Sequence, residues 1–265
     1  MYLWLNNYIL VQIVEAIKYE NGIFQSVEDA LTVEEMLSIA INGNPYTITM
    51  RSPGFEEALT RGILLSEDVY HGNNHPIFSV IETNQKGYIT KVNVAIPQEE
   101  IEDGIHTKRN LMSVTSCGMC GKEDTHLELA GEKLTPKIAL APATILDFFQ
   151  KMSLEQKLFK KTGGSHAAAI FDTNNNLQVA MEDIGRHNAV DKAIGSLLLK
   201  NELSNALCLI VSGRISYEIV SKCYKAKIPY LAAVSAPSSL AVDFCKEKGI
   251  TLLGFCRDTK LTQYC

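Results

Sequence analysis

The sequence predicts an α/β protein in two parts: a β-rich N-terminal region over residues 1–110 and a three-layer α/β domain over residues 144–265. Residues 111–143 form a loop and connection between them. Three observations carry this reading. From Thr144 onward, short and nearly continuous apolar runs alternate with amphipathic helical segments, the pattern of a mainly parallel sheet covered on both faces. Before Pro97 the apolar runs have strand length and are bounded by turn residues. The chain has 265 residues, 46% hydrophobic and 21% charged, which suits a packed core and excludes disordered and fibrous classes.

The elements follow in order. Met1 to Ile17 is apolar but is interrupted by Asn6, Asn7 and Gln12 and has no basic start. It reads as an N-terminal packing segment or extension, neither a targeting signal nor a membrane span. Val33–Ile41 and Tyr46–Met50 are strands around Asn42-Gly43-Asn44-Pro45, the chemistry of a tight hairpin turn. Phe55–Leu65 has helical spacing with acids in its first turn. Ile77–Glu82 and Tyr88–Ile96 are two further strands turning at 84–87. Pro97–Asp124 is polar and turn-rich, a candidate functional loop.

In the C-terminal part, Thr144–Lys160 is a helix, Ala167–Asp172 and Leu177–Met181 are strands, and Asn188–Lys200 is a helix. Asn188 can cap that helix, with Asp191 in capping-box position. Leu207–Ser212, Tyr230–Ser235 and Thr251–Phe255 are strands, and Ser216–Ala226 and Ser238–Lys248 are helices.

Charge and cysteine usage bound the function. Lys and Arg number 25 against 30 acids, a formal charge of −5, so the broad cationic face of a nucleic-acid binder is missing. No membrane partner is expected either. Seven cysteines are too few and too scattered for a secreted disulfide framework, and reduced thiols without a signal point to the cytoplasm. Cys208, Cys223, Cys245 and Cys256 lie in apolar runs and read as buried thiols. Cys117 and Cys120 stand apart in a polar, glycine-bearing segment, Ser116-Cys117-Gly118-Met119-Cys120-Gly121-Lys122.

Two thiols at this spacing can share a metal, form a disulfide or pass a sulfur. A closed zinc site needs four ligands and there is no second pair, so no metal is expected. A thioredoxin-like role wants a strand before the motif and a helix after it, and the flanks here are polar loop. Lys122 can lower a thiol pKa and raise nucleophilicity. Sulfur or group transfer suits the pair best.

A second constellation lies at strand-to-helix turns. Arg186 and His187 stand at a helix start, a place that favours an anion. The alternative, Arg186 paired structurally to Glu182 or Asp183, weighs equally. Ser212-Gly213-Arg214 repeats the arrangement, and 235–239 does so without the charge. Together these turns outline a crevice at one sheet edge, where α/β proteins bind nucleotides. Arg257 and Lys260 either reach that crevice or form a solvated tail. There is no Walker or GxGxxG fingerprint.

Taken in order, Arg51-Ser52-Pro53-Gly54, the 116–121 motif, Thr162-Gly163-Gly164-Ser165-His166 and the run Glu182-Asp183-Ile184-Gly185-Arg186-His187-Asn188-Ala189-Val190-Asp191-Lys192 resemble the FdhD family of formate dehydrogenase accessory sulfurtransferases. So do 211–218, 235–241 and 254–257. The resemblance implies that a persulfide sulfur from a cysteine desulfurase is accepted at Cys117 and delivered to the molybdenum cofactor, bis-molybdopterin guanine dinucleotide, for formate dehydrogenase. Cys120 would relay or resolve. Phe255, Cys256, Arg257, Asp258, Thr259 and Lys260 would bind the cofactor, beside Arg186, His187 and Arg214. It also implies a cytidine-deaminase-like fold and a homodimer. A non-catalytic cofactor-binding chaperone is the alternative. Deaminase chemistry is rejected: His166 is followed by Ala167 and Ala168 where His-x-Glu is needed, and the cysteine pair lies upstream.

Overall fold

The computed structural model describes residues 4–5, 8–72, 74–106, 131–136 and 138–265. Cys117 and Cys120 therefore lie outside the described residues. Short pairing strands β1 (Trp4–Leu5) and β2 (Tyr8–Ile9) open the chain. They precede an antiparallel ribbon of two ten-residue strands, β3 (Val11–Glu20) and β4 (Ile23–Thr32). Sequence reading assigned no strand here and expected a packing segment. Only the base packs, through Leu10 and Val11 against Leu158, and Thr32 Oγ1 meets Thr162 Oγ1 at 2.7 Å. The ribbon turns at Asn21-Gly22, both at positive φ, as a tight hairpin requires.

A four-stranded sheet follows, in the order β6 (Asn44–Arg51), β5 (Glu35–Ile41), β8 (Ile89–Ala95), β7 (Ile77–Thr83). Asn42-Gly43 makes the expected hairpin between β5 and β6, again with both residues at positive φ. Helix α1 (Glu56–Ser66) covers this sheet, and Leu37, Ile39, Leu59, Ile63 and Val92 form its core. 3₁₀ turns at Gln98–Glu100 and Asp103–His106 lead out of it.

The larger sheet runs β10 (Leu177–Asp183), β9 (His166–Asp172), β11 (Ala206–Val211), β12 (Tyr230–Ala233), β13 (Thr251–Arg257), β14 (Lys260–Gln263). It is mixed, which corrects the expectation of a mainly parallel sheet. Only β11–β12 and β12–β13 are parallel. The reason is connection length: β9 to β10 and β13 to β14 are joined by short turns, which antiparallel strands alone can use.

Helices α4 (Arg186–Leu199), α5 (Tyr217–Lys225) and α6 (Ser239–Lys248) cover one face over a core that includes Ile170, Val190, Leu209 and Leu231. Helix α2 (Pro142–Glu155) covers the other with Ile145, Phe148 and Met152, Phe148 stacking on Phe171 at 3.9 Å. That makes three layers. The helix expected over 144–160 is two helices, because the chain breaks at Gln156 before α3 (Lys157–Thr162).

The two halves are joined by α1 lying on α4. A Cβ on Gly62 would stand 2.0 Å from the Asp191 carbonyl oxygen, and one on Gly195 would stand 1.8 Å from that of Ala58. Only glycine allows that approach. No helix among the described residues is long and apolar enough to cross a membrane.

Candidate functional site: a cavity at the strand ends

Strands β10, β11, β12 and β13 all point their C-terminal ends to one edge, where β9 begins. The turns after these strands therefore collect residues distant in sequence at one edge. A cavity of about 870 Å³ opens there, on the α2 side of the sheet. Its apolar wall comes from α2 and α3, including Leu146, Phe149, Met152 and Phe159. Its polar wall comes from the strand edge, with Ser165, His166, Ser212, Arg257 and Asp258. An apolar slot with a few converging polar groups, at a size small molecules occupy, is the usual form of a ligand site.

The polar wall is built by specific bonds. Glu182, at the end of β10, accepts from the backbone N–H groups of Leu158 and Phe159 at 2.8 Å each and from Ser165 Oγ at 2.8 Å. One carboxylate thus satisfies orphan donors in the first turn of α3 and holds the glycine turn that leads to His166. The Ser212 hydroxyl takes the Ala167 N–H at 2.9 Å.

His166 is half-buried, and burial together with the neighbouring Arg186 and then Arg214 holds its pKa below the usual histidine range, against the pull of Asp183. Burial and the two guanidinium groups both disfavour its charged form. Gly213 makes this crowding sterically feasible, since a Cβ there would lie 3.3 Å from His166 Nδ1 and 3.5 Å from Arg186 Cβ. The Arg186 Nε is buried without a hydrogen-bond partner among the described residues.

Of the cofactor-binding residues expected from sequence, three line this cavity, and the others lie around or away from it. Cys256, Arg257 and Asp258 line the cavity. Phe255 precedes these lining residues, 42% exposed and at φ 54, inside a bulge in the β13–β14 pairing. A bulky residue in that conformation marks a constrained backbone. Thr259 and Lys260 are exposed in the turn into β14, so this stretch is a hairpin and not a loose tail. Arg186 stands beside His166, while Arg214 is exposed at the start of α5. His187 is turned inward, with Nε2 3.5 Å from Ser216 Oγ.

The rest of the 182–192 run is a joint between the halves. Asp183 is fully buried, 2.7 Å from Lys192 Nζ, and accepts from the backbone N–H of Ser52 at 3.1 Å. Lys192 also donates to the Ser52 carbonyl at 2.8 Å. Asn188 was expected to cap α4. Gly185 is the cap instead, and Asn188 donates to the Met50 carbonyl at 2.8 Å and to Asp183 at 3.2 Å. Asp191 pairs with Lys222 at 2.7 Å instead of completing a capping box. Nor does Glu182 or Asp183 serve Arg186, as both carboxylates are engaged elsewhere. The residues missed from sequence are those of the apolar wall, whose helical spacing reads as ordinary core.

The segment 107–130, which carries both motif cysteines, is described only by its roots. The outgoing root is held by Glu102 N–H to the Val69 carbonyl at 3.0 Å and Gly104 N–H to that of Asp68 at 3.0 Å. Asp68 pairs with Lys225 at 2.6 Å. At the returning root, the Tyr224 hydroxyl donates to the Glu132 carbonyl at 2.9 Å. Both roots are thus fastened to the C-terminal end of α5, at the sheet edge opposite the cavity. His71 bridges Asp68 at 3.2 Å and Glu102 at 3.1 Å, and the Asp68 hydrogen bond raises its pKa.

Comparison with known proteins agrees with this architecture. The chain is 38% identical over 261 residues to the sulfur carrier protein FdhD of Streptomyces coelicolor, covering 94% of this chain and 92% of that one. It is 36% identical over 253 residues to the protein of the same name in Sulfolobus acidocaldarius, covering 95% of each. A crystal structure described as a formate dehydrogenase accessory protein from Desulfotalea psychrophila superposes with a TM-score of 0.74 over 96% of both chains at 24% identity, a likeness of fold. The sequence model of the FdhD/NarQ family matches residues 32–265. The chain belongs to the FdhD/NarQ family.

Proposed function

We propose that this protein is a sulfur carrier in formate dehydrogenase maturation. Cys117 takes the outer sulfur of a persulfide held by a cysteine desulfurase. The Cys117 thiolate attacks that sulfur, a new S–S bond forms on Cys117, and the donor cysteine leaves as thiolate. The sulfur is then delivered to bis-molybdopterin guanine dinucleotide before its insertion into formate dehydrogenase. Cys120 relays or resolves. The reaction belongs in a reducing cytoplasm and in a homodimer, and the α/β domain is read as deaminase-like in architecture only.

The observation that carries the reading is the pairing of the Cys117/Cys120 motif with 38% identity to a protein named a sulfur carrier, over 94% of the chain. The cavity supports it. Its apolar slot and its Arg257–Asp258 rim suit one nucleotide end of the cofactor, with Arg186 and Arg214 near enough to favour its phosphates.

The test is intact mass after incubation with a cysteine desulfurase and cysteine. One added sulfur is expected, lost in Cys117→Ala and less affected in Cys120→Ala. No gain in the wild type would sink the proposal. Arg186→Ala should weaken guanosine diphosphate binding, and unchanged affinity would remove Arg186 from the site.

A second reading, a cofactor-binding chaperone without sulfur chemistry, is favoured by one observation: the cavity and the roots of the cysteine segment lie at opposite sheet edges. It predicts that a Cys117→Ala, Cys120→Ala double variant still activates formate dehydrogenase.

A further inference from the structure

Strand alternation gives the β3–β4 ribbon one continuous row of side chains. Val11, Ile13, Glu15, Ile17 and Tyr19 on β3 lie directly opposite Thr32, Ala30, Glu28, Ser26 and Phe24 on β4. The inner end of this row is covered: Val11 is fully buried against Leu158 of α3, and Thr32 meets Thr162 of the same helix. The outer end is not. Ile13, Ile17, Tyr19 and Phe24 are 41%, 76%, 62% and 73% exposed, and the two aromatic rings pack on each other with centroids 4.8 Å apart. Ten residues per strand carry this end about 30 Å from the base. A two-stranded ribbon is marginal in water by itself.

The row also carries an electrostatic fault. Glu15 and Glu28 are direct cross-strand partners, and like charges in that position destabilise a ribbon unless cations lie over them. Across β3 and β4 there are four acids, Glu15, Glu20, Glu28 and Asp29, against Lys18, which pairs with Glu20 at 2.8 Å.

The complementary surface is on the same chain. Where α2 meets α3, Leu154 and Phe159 are 69% and 45% exposed, next to the Leu158 that the ribbon base covers. Lys157 and Lys160 are exposed on this elbow, and Lys161 is half-buried. Lys157 lies 3.9 Å from Glu155, and Lys160 donates to the Leu154 carbonyl at 3.2 Å, both in solvent. The ribbon is thus apolar and acidic, and the elbow apolar and basic. The contact at the ribbon base uses part of each and leaves the rest open.

We infer that each ribbon reaches a second copy of this chain and seats Tyr19 and Phe24 on that copy's Leu154 and Phe159, with Glu15 and Glu28 toward its lysines. The occupant is a second copy because both halves of the interface are present on one chain. Each ribbon springs from its own α3. Two ribbons running in opposite directions about a two-fold axis therefore bring each tip to the other's elbow, when the elbows stand one ribbon length apart. Such a contact is isologous and closed, and it covers both open surfaces of both copies. Phe159 also lines the cavity, so the partner's ribbon borders the apolar wall of that site. The inference rests on the homodimer reading above and supplies its interface.

The test uses the full chain. Unlabelled and isotope-labelled wild-type protein are mixed, allowed to exchange and treated with a carbodiimide, which joins a carboxylate to an amine at zero length. Mixed-label peptides linking Glu15 or Glu28 to Lys157, Lys160 or Lys161 are expected. Tyr19→Ser with Phe24→Ser, both at exposed positions, should raise the dimer dissociation constant by at least about 100-fold in sedimentation equilibrium. Glu15→Lys with Glu28→Lys should also weaken the dimer, and adding Lys157→Glu with Lys160→Glu should recover about tenfold. A dissociation constant unchanged by the aromatic substitutions, or mixed-label links that join other surfaces alone, would overturn the inference and leave the homodimer reading standing. A wild-type monomer would remove both.

Discussion

The two edges of the six-stranded sheet are built by different physics. At the cavity edge, short turns are pinned by multiply bonded carboxylates: the fully buried Asp183 on Ser52 and Lys192, and the half-buried Glu182 on α3 and Ser165. At the opposite edge, the roots of the 107–130 segment are held by partners that still touch solvent, such as His71 and Asp68, whose side chains are 38% and 42% exposed. Buried ionic contacts are costly to break and fix one geometry, whereas exposed ones are worth little and exchange readily. A cavity needs the first kind of edge, and the attachment of a long segment can use the second.

The largest effect should come from attacking the first edge. Asp183→Ala strands Lys192 in the core, and we expect a loss of about 3–5 kcal/mol in denaturant unfolding. A loss below about 1 kcal/mol would mean that Lys192 finds water and that the two edges do not differ in kind.

Glu182→Ala tests the same edge more locally. Three donors lose their acceptor, so a stability cost of about 1–3 kcal/mol is expected. The better readout is ligand affinity. Guanosine diphosphate binding should weaken more than in Tyr224→Phe, which cuts one bond at the other edge. Equal weakening would erase the comparison.

The smallest effect concerns pH at the root edge. His71 has a raised pKa because Asp68 and Glu102 favour its charged form. Its contribution is therefore fully present below the unfolded histidine value, about 6.5, and is lost as pH rises through the higher folded value. Given the exposure of these side chains, His71→Gln should flatten the stability profile in that window by no more than about 0.5 kcal/mol. A profile identical to wild type would remove His71 from the anchor.

How much of this could be read beforehand depended on the range of each signal. Helix and strand positions in the C-terminal part were legible because apolar periodicity is local. Strand direction was taken as mainly parallel, although Asp172-Thr173-Asn174-Asn175-Asn176-Leu177 is too short a link for anything but a hairpin. The β3–β4 ribbon carried its own signal as well. Asn21-Gly22 is the same turn chemistry as Asn42-Gly43, but the apolar residues around it suggested packing, whereas Ile17 and Phe24 are 76% and 73% exposed.

The site divided in the same way. The strand-end turns were placed at one edge by the alternation of elements alone. The role of Asp183, Asn188 and Lys192 was out of reach, because their partners Ser52 and Met50 lie more than a hundred residues away. A capping motif and a domain joint use the same residue types, and only tertiary contacts separate them.

The glycine crossing of α1 and α4 has a consequence for distance. Where helices meet through side chains, rotamer changes let them slide; here backbone lies on backbone at Gly62 and Gly195 with nothing compressible between. Helix α1 runs toward Asp68, near one root of the cysteine segment, and α4 begins at Arg186, beside the cavity. The crossing therefore acts as a ruler whose length is set by the main chain. The separation between Asp68 and the start of α4 is thus fixed by main chain, not by side chains that could repack.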